Sequence, residues 1–302
     1  MNIGIIGAGF MGSVHARAIN GLFAGSLAGI AAKTSTRAAS LAAELHTECF
    51  DSVGDLIRES DIDIIDICAP TSAHARLACE CMEAGKHVIV EYPLCETREE
   101  LDRLLRVSKE TGRVCAGAYY SRFQSQYKYF FELSKTGKIG SIRTLNVSRR
   151  SAPVFSSGDI VNDLMAQDID FAVRLLGTPN SLSCANRGEE HCVLVFAYDS
   201  AIVTIEGSTD MHDGYPFTTR HFAAGTTGSL VLDWSFVDRP KSRFLYADKD
   251  GESELTKDDY DPYVFELERI VKGIASKRTE EFDIASLYES AALTFACRER
   301  MR

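Results

Sequence analysis

Long apolar runs are missing from this 302-residue chain: no stretch approaches the roughly 20 consecutive apolar residues that a bilayer-crossing helix needs. The N-terminus reads as the start of a strand rather than as a signal peptide, so the expectation is a cytoplasmic protein with no membrane partner. Internal repeats and low-complexity linkers are missing as well. Positive charge is in short supply. Forty-three acidic side chains stand against 33 Lys and Arg, and the net charge of −10 argues against a nucleic-acid or anionic-membrane partner. The nine cysteines are an odd number scattered through apolar segments, so reduced, buried thiols are expected in place of a disulfide framework. Cys79 and Cys81 fall two apart on an expected helix, where such neighbours diverge, and no metal site is expected there. With 45% hydrophobic residues, a chain of this length suffices for two cored domains.

The first informative feature that is present is a glycine-rich turn. Gly7-Ala8-Gly9-Phe10-Met11-Gly12 follows the apolar run Ile3-Gly4-Ile5-Ile6 and precedes a helical stretch from Ser13 to Ile19. In such a strand–turn–helix, the first glycine permits a tight turn and the second lets the backbone approach a pyrophosphate. The third lets helix and strand pack closely. The helix N-terminus offers unpaired N–H groups and partial positive charge to the phosphates. Gly7, Gly9, Phe10, Met11 and Gly12 are therefore candidate dinucleotide contacts.

Strand-like and helix-like segments alternate through the first ~120 residues, which is the signature of βαβ units. Strands are expected at 2–7, 26–32, 62–68, 86–91 and 114–118. The run Ile62-Asp63-Ile64-Ile65-Asp66-Ile67, broken only by two Asp residues, suits a parallel sheet covered on both faces. After Ala116-Gly117-Ala118 the pattern changes. A helix is expected at about 123–136, then strands near 141–151, 180–187, 191–208, 218–224 and 228–235, with a helix at roughly 160–176 among them. Helices near 262–276 and 283–300 close the chain. The expected fold is an N-terminal Rossmann-type doubly wound parallel sheet, residues 1–119, followed by an α+β domain on a large open, mostly antiparallel sheet, residues 120–302.

An acidic residue at the end of the second strand would bind the adenosine ribose hydroxyls and repel a 2′-phosphate. Here Ile30-Ala31-Ala32 runs instead into Lys33-Thr34-Ser35-Thr36-Arg37. Lys33 and Arg37 supply charge for a phosphate dianion, and the hydroxyls of Thr34 and Ser35 add hydrogen bonds. NADP(H) is expected over NAD(H). The alternative is a solvated turn and helix cap, for which Thr34 or Ser35 suffices.

The stretch Asp66-Ile67-Cys68-Ala69-Pro70-Thr71-Ser72-Ala73-His74, followed by Gly85-Lys86-His87-Val88-Ile89-Val90-Glu91-Tyr92-Pro93, resembles the glucose-fructose oxidoreductase and inositol dehydrogenase (Gfo/Idh/MocA) family. The likeness continues through Ser121-Arg122-Phe123, the segment 137–142, Asp163-Leu164-Met165-Ala166-Gln167-Asp168-Ile169-Asp170 and Gly225-Thr226-Thr227-Gly228-Ser229, so nearly the whole chain is covered. The resemblance implies an oxidoreductase with a small-molecule substrate held between two domains. It places Ala69, Pro70, Thr71, His74 and Glu91 near the cofactor, and it implies a homodimer or homotetramer formed through the second domain's sheet. Strands such as Val193-Leu194-Val195-Phe196 are compatible with that.

Two positions depart from the family. Its Glu-Lys-Pro is here Glu91-Tyr92-Pro93, which replaces an ammonium by a neutral phenol. The histidine of its Asp-x3-His-Asp-x-Asp element is here Gln167, an amide that cannot serve as acid or base at pH 7. Asp163, Gln167 and Asp170 still fall on one face of an expected helix, with Asp168 pointing elsewhere. The candidate catalytic residues are Tyr92, Asp163 and Gln167, and the candidate substrate contacts are Tyr119, Tyr120, Arg122 and Asp170. His15 and His74, near helix starts, read as structural or cofactor-neighbouring.

Three functions fit these residues. The first is hydride transfer between NADP(H) and a sugar- or polyol-like substrate. The second is a biliverdin-reductase-like activity, which the Glu-Tyr-Pro tripeptide resembles. The third is a non-catalytic NADP(H)-binding sensor or regulatory protein.

Overall fold

The computed structural model describes residues 1–153, 158–236, 240–255 and 260–301, apart from the side chains of Ser35 and Pro240. The chain divides into two compact units, residues 1–123 with 260–288, and residues 124–259 with 289–302.

The first unit is built on β1 (Ile3–Ile6), β2 (Leu27–Ala31), β3 (Glu48–Cys49), β4 (Ile64–Ile67), β5 (His87–Glu91) and β6 (Cys115–Ala118). They pair in the order β3-β2-β1-β4-β5-β6, all parallel, as expected for a doubly wound sheet. The connecting helices are α1 (Phe10–Leu22), α2 (Ser35–Leu45), α3 (Val53–Arg58), α4 (Thr71–Glu83) and α5 (Arg98–Thr111). Local sequence sets their ends. Thr97 and Glu100 form a reciprocal capping box at the start of α5, and Gly112 closes it in the left-handed conformation. The short β3 was not foreseen, because two exposed residues carry no periodic signal.

A single break at 119/120 does not describe how this unit is completed. Helix α8 (Pro262–Ser276) packs against α1, and its Leu267, Ile270, Val271 and Ile274 share a core with Ile3, Ile5, Ile19 and Ile30. The Asp261-Pro262 start of α8 is legible in the sequence, since Asp261 accepts from the N–H groups of Tyr263 and Val264 and Pro262 takes the first helical position. Its partner helix lies ~250 residues earlier, and nothing local points to it.

The second unit holds an eight-stranded open sheet in the order β14-β13-β12-β11-β7-β10-β9-β8. Its strands are β7 (Ile142–Arg150), β8 (Ser181–Arg187), β9 (His191–Ala197), β10 (Ile202–Ser208), β11 (Phe217–Gly225), β12 (Gly228–Phe236), β13 (Pro240–Asp248) and β14 (Gly251–Glu254). Only β7 and β10 run parallel; every other pairing is antiparallel. The expected single strand over 191–208 is two strands, since Tyr198 and Ala201 close a turn by a backbone hydrogen bond. Strands β13 and β14 extend the sheet beyond the sequence expectation.

Helices α6 (Ser125–Lys135) and α7 (Ala166–Leu176) bury Phe130, Ile169 and Phe171 in one core with Leu145, Leu194, Phe196 and Ile205 from the sheet. The last helix, α9 (Ile284–Met301), starts in the first unit and finishes in the second. Among the described residues no helix is long and apolar enough to cross a membrane.

Candidate functional site

A cavity of about 920 Å³ opens at the carboxyl ends of β1, β2, β4 and β5, in the first unit. It straddles the point where the strand order reverses between β1 and β4, which is where open parallel sheets bind their ligands. The glycine turn forms its floor, and each glycine has a separate reason to be there. Gly7 has φ +116°, and a Cβ there would stand 2.4 Å from the carbonyl oxygen of Cys68. A Cβ on Gly12 would come within 2.1 Å of the Gly7 carbonyl oxygen, so α1 can lie against the turn only because that side chain is absent. Gly9 has nothing within 4 Å of its would-be Cβ. The protein makes no steric demand at Gly9, so the space beside it is free for a ligand's close approach.

The first turn of α1 carries neither an acidic residue nor a side-chain cap, which leaves its N–H groups for an anion. Phe10 is 82% exposed at its start. Lys33, Thr34 and Arg37, following β2, are exposed on the same cavity, and neither cation makes an ion pair among the described residues. Ala69, Pro70, Thr71 and His74, at the start of α4, line the wall with Glu91 and Tyr92. Gly12 supports the floor from behind, and the side chain of Ser35 lies outside the described parts. The residues present thus fit a dinucleotide: a close-approach glycine, a bare helix N-terminus, and two unpaired cations at the end of β2.

His74 is held with Nδ1 2.7 Å from the Pro93 carbonyl oxygen and Nε2 2.6 Å from that of Ala69, tying α4 to the segment after β5. Half-buried Tyr92 meets Tyr119 edge-on at 5.2 Å. The Glu91 carboxylate accepts from the Tyr92 backbone N–H at 2.5 Å.

Behind the floor lies a buried polar cluster that the sequence reading did not assemble. His15 Nδ1 is 2.9 Å from Asp66 Oδ2 and 3.4 Å from Cys68 Sγ, and Cys68 Sγ is 3.6 Å from Asp66 Oδ1. His15 Nε2 stands 3.3 Å from Glu91 Oε1, at ion-pair distance. Burial opposes a charge on His15, yet Asp66 and Cys68 hold its pKa well above the ordinary imidazole value. Burial, with Asp66 beside it, pushes the Cys68 thiol up to about 12. Glu266, on α8, is fully buried with neither carboxyl oxygen hydrogen-bonded, and burial pushes its pKa well above the carboxylate range. One signal was in the sequence: Asp66 interrupts an isoleucine strand, and a charge in a strand covered on both faces needs a partner.

Tyr120 stacks on Tyr263 of α8 at 5.3 Å. Arg122, expected to meet a substrate, is 5% exposed and is instead taken up within its own unit. Its guanidinium donates to the carbonyl oxygen of Glu281 at 2.7 Å and to Oγ and O of Ser286 at 3.2 and 3.3 Å. A guanidinium has five N–H donors and so can bridge several acceptors at once, and the sequence gives no sign that those acceptors lie about 160 residues on.

In the second unit the segment 161–165 is a π-helical turn leading into α7, so Asp163 and Gln167 do not follow the regular i, i+4 register expected of one helix. Asp163 is half-buried and Gln167 buried. Asp170, expected to contact substrate, is 2% exposed and accepts a hydrogen bond from Ser290 Oγ at 2.7 Å. Asp168 is fully buried and held by side chains of its own unit. Arg149 grips it bidentately at 2.8 and 2.9 Å, Tyr127 donates to it at 3.2 Å, and His221 Nε2 lies 3.4 Å away. Burial alone would raise the Asp168 carboxyl, but Arg149 and His221 hold it far below the usual range.

Fold and cavity together define a class: a Rossmann-type dinucleotide domain joined to an α+β unit with an open, mostly antiparallel sheet. Residues 1–119 match the family model described as an oxidoreductase family with an NAD-binding Rossmann fold, so this domain is a dinucleotide-binding domain of the Gfo/Idh/MocA type.

The chain is 34% identical over 179 residues to the UDP-N-acetylglucosamine 3-dehydrogenase of Acidithiobacillus ferrooxidans, an alignment covering 59% of this chain and 55% of that protein. It therefore spans about half the length of that relative. An inositol 2-dehydrogenase of Saccharopolyspora erythraea is 27% identical over 251 residues, covering 77% of this chain and 73% of that one. The solved structure of the Acidithiobacillus enzyme superposes with a TM-score of 0.87 over 99% of this chain and 97% of its own, at 23% identity, which shows a shared fold.

Proposed function

We propose that this protein is an NADP(H)-dependent oxidoreductase acting on a small sugar- or polyol-like substrate. The observation that carries the reading is the end of β2, where exposed Lys33 and Arg37 face the cavity and no carboxylate stands in the ribose-binding position. A nicotinamide dinucleotide, when bound, supplies a hydride donor or acceptor.

The chain's own residues do the rest. The bare N–H groups of α1 take the pyrophosphate, Gly9 admits it closely, and Lys33, Thr34 and Arg37 hold the 2′-phosphate. Tyr92 offers a phenolic proton or hydrogen bond on the cavity wall. The roles of Asp163 and Gln167 at the substrate rest on the family resemblance.

NADPH is expected to bind at least about tenfold more tightly than NADH, a difference of ~1.4 kcal/mol. The double variant Lys33→Ala/Arg37→Ala should erase most of the gap. Fluorescence titration of both dinucleotides decides it, and tighter NADH binding overturns the cofactor assignment. Loss of NADPH absorbance against aldoses, ketoses, inososes and biliverdin then identifies the substrate class. With the substrate that turns over, Tyr92→Phe and Asp163→Ala should lower kcat more than NADPH affinity; unchanged kcat in both sinks the site assignment.

A second reading, a dinucleotide sensor without turnover, is favoured by Tyr92 and Gln167 standing where relatives of this type carry lysine and histidine. NADPH binding with no oxidation by any substrate of that panel would select it.

A further inference from the structure

We propose that His15, Asp66 and Cys68 form a binding site for one thiophilic divalent cation of the Zn2+ class, set in the floor of the dinucleotide cavity. It goes beyond the reductase reading and does not depend on it, because it requires only three side chains of the first unit.

The geometry comes first. The donor atoms of the three residues lie within 4.8 Å of one another, with the imidazole nitrogen 3.4 Å and a carboxylate oxygen 3.6 Å from the sulfur. Zinc bonds of about 2.0–2.3 Å in tetrahedral arrangement separate neighbouring donors by roughly 3.4–3.6 Å. The 3.4 Å edge between sulfur and imidazole is therefore already in place. The Asp66 carboxylate meets the sulfur through Oδ1 at 3.6 Å and the imidazole through Oδ2 at 2.9 Å, so it must turn to set one oxygen at ligand spacing from both.

The surroundings match as well. A metal-bound imidazole usually donates its other N–H to a carboxylate, which fixes the ring. With Nδ1 on the ion, the buried His15 Nε2, which makes no hydrogen bond, has Glu91 Oε1 3.3 Å away as a carboxylate to turn toward it. His15 and Asp66 are fully buried, while Cys68 is half-buried and lines the cavity, so an ion would enter from the cavity side and find further ligand positions there.

A sulfur, a nitrogen and an oxygen donor together select Zn2+ or Co2+ over Mg2+ and Ca2+, which prefer all-oxygen ligation.

Co2+ is the probe. The full chain, stripped with chelator and kept reduced, is titrated with Co2+ under nitrogen. The expected result is one equivalent bound, with a thiolate-to-cobalt charge-transfer band and visible bands of four-coordinate intensity, both abolished by an equivalent of Zn2+. Cys68→Ser and His15→Gln should lose the bands. Glu91→Gln should weaken Co2+ binding about tenfold or more. Adventitious binding would fall on the other thiols, of which Cys49 is exposed and Cys184 stands 3.5 Å from Cys192. The variant Cys49→Ser/Cys184→Ser should therefore keep the bands. Absence of a charge-transfer band in the wild-type chain overturns the proposal, and so does its survival in folded Cys68→Ser or its loss in Cys49→Ser/Cys184→Ser. If Cys68→Ser does not fold, the wild-type chain and the Cys49→Ser/Cys184→Ser variant still decide.

Discussion

Glu266 carries a carboxyl group into the interior of the first unit, where neither oxygen finds a hydrogen-bond partner. Burial favours its neutral form, with Glu91 and Asp66 adding to that and His15 opposing it. The consequence for stability has a definite sign. Above the unfolded pKa of about 4.3 the unfolded chain releases this proton while the folded chain keeps it, so stability falls as pH rises until the folded pKa is passed. Glu266→Gln, a neutral isostere, removes that slope. Its stability relative to wild type should grow by about 1.4 kcal/mol per pH unit across that window. Urea denaturation at pH 5, 6 and 7 in the presence of chelator measures it, and a difference independent of pH would show that Glu266 is ionised in the fold. The sequence announces an acid at position 266 on an amphipathic helix, but not that it faces inward between its apolar neighbours Leu267 and Ile270 and the helix α1.

The strand–turn–helix at residues 3–22 was legible at the level of the element because its chemistry is local. Turn, helix start and close packing all fall within a dozen consecutive residues. The structure separates what the motif leaves merged. Gly12 is required by the fold, whereas the fold makes no steric demand at Gly9, which borders the cavity. Gly12→Ala should destabilise the first unit by about 1–3 kcal/mol, since a Cβ there meets backbone that cannot step aside. Gly9→Ala should leave the melting temperature within a degree or two and weaken NADPH binding by tenfold or more. Thermal melts and dinucleotide titrations on the two variants check the pair, and equal destabilisation by both would refute the division. The segment 161–176 shows the limit of the same local reading. Spacing predicts one regular helix with Asp163 and Gln167 on one face, whereas the chain inserts a π-helical turn before α7. Met165 in that turn packs over Gly207 of β10, a contact that periodicity does not encode.

On the scale of the whole molecule, the second unit's sheet has two unlike faces. Leu194, Phe196, Val203 and Ile205 point into the core beneath α6 and α7. Val193 and Val195 alternate to the opposite face with Ile202, which is 48% exposed. We expect that face to be covered by a second copy of the chain, as the family resemblance implies. Sedimentation equilibrium should give a dimer or tetramer, and Val195→Glu/Ile202→Glu should give a folded species of lower mass. A monomeric wild-type chain at micromolar concentration would remove the expectation.

Contiguous residues whose spacing follows strand or helix geometry specify the parallel sheet of the first unit, the glycine turn and the cationic end of β2, and the motifs among them carry the family resemblance of the first domain. Tertiary structure alone decided that α8 completes the first unit, that Arg122 and Asp170 are engaged inside their own units, and that His15, Asp66, Cys68, Glu91 and Glu266 meet behind the cavity floor. Apart from Asp66 and Cys68, which are two residues apart, the groups that meet behind the floor are separated by tens to hundreds of residues. Burial and charge act through space, so their pairing, and with it their protonation, exists only once the chain is folded.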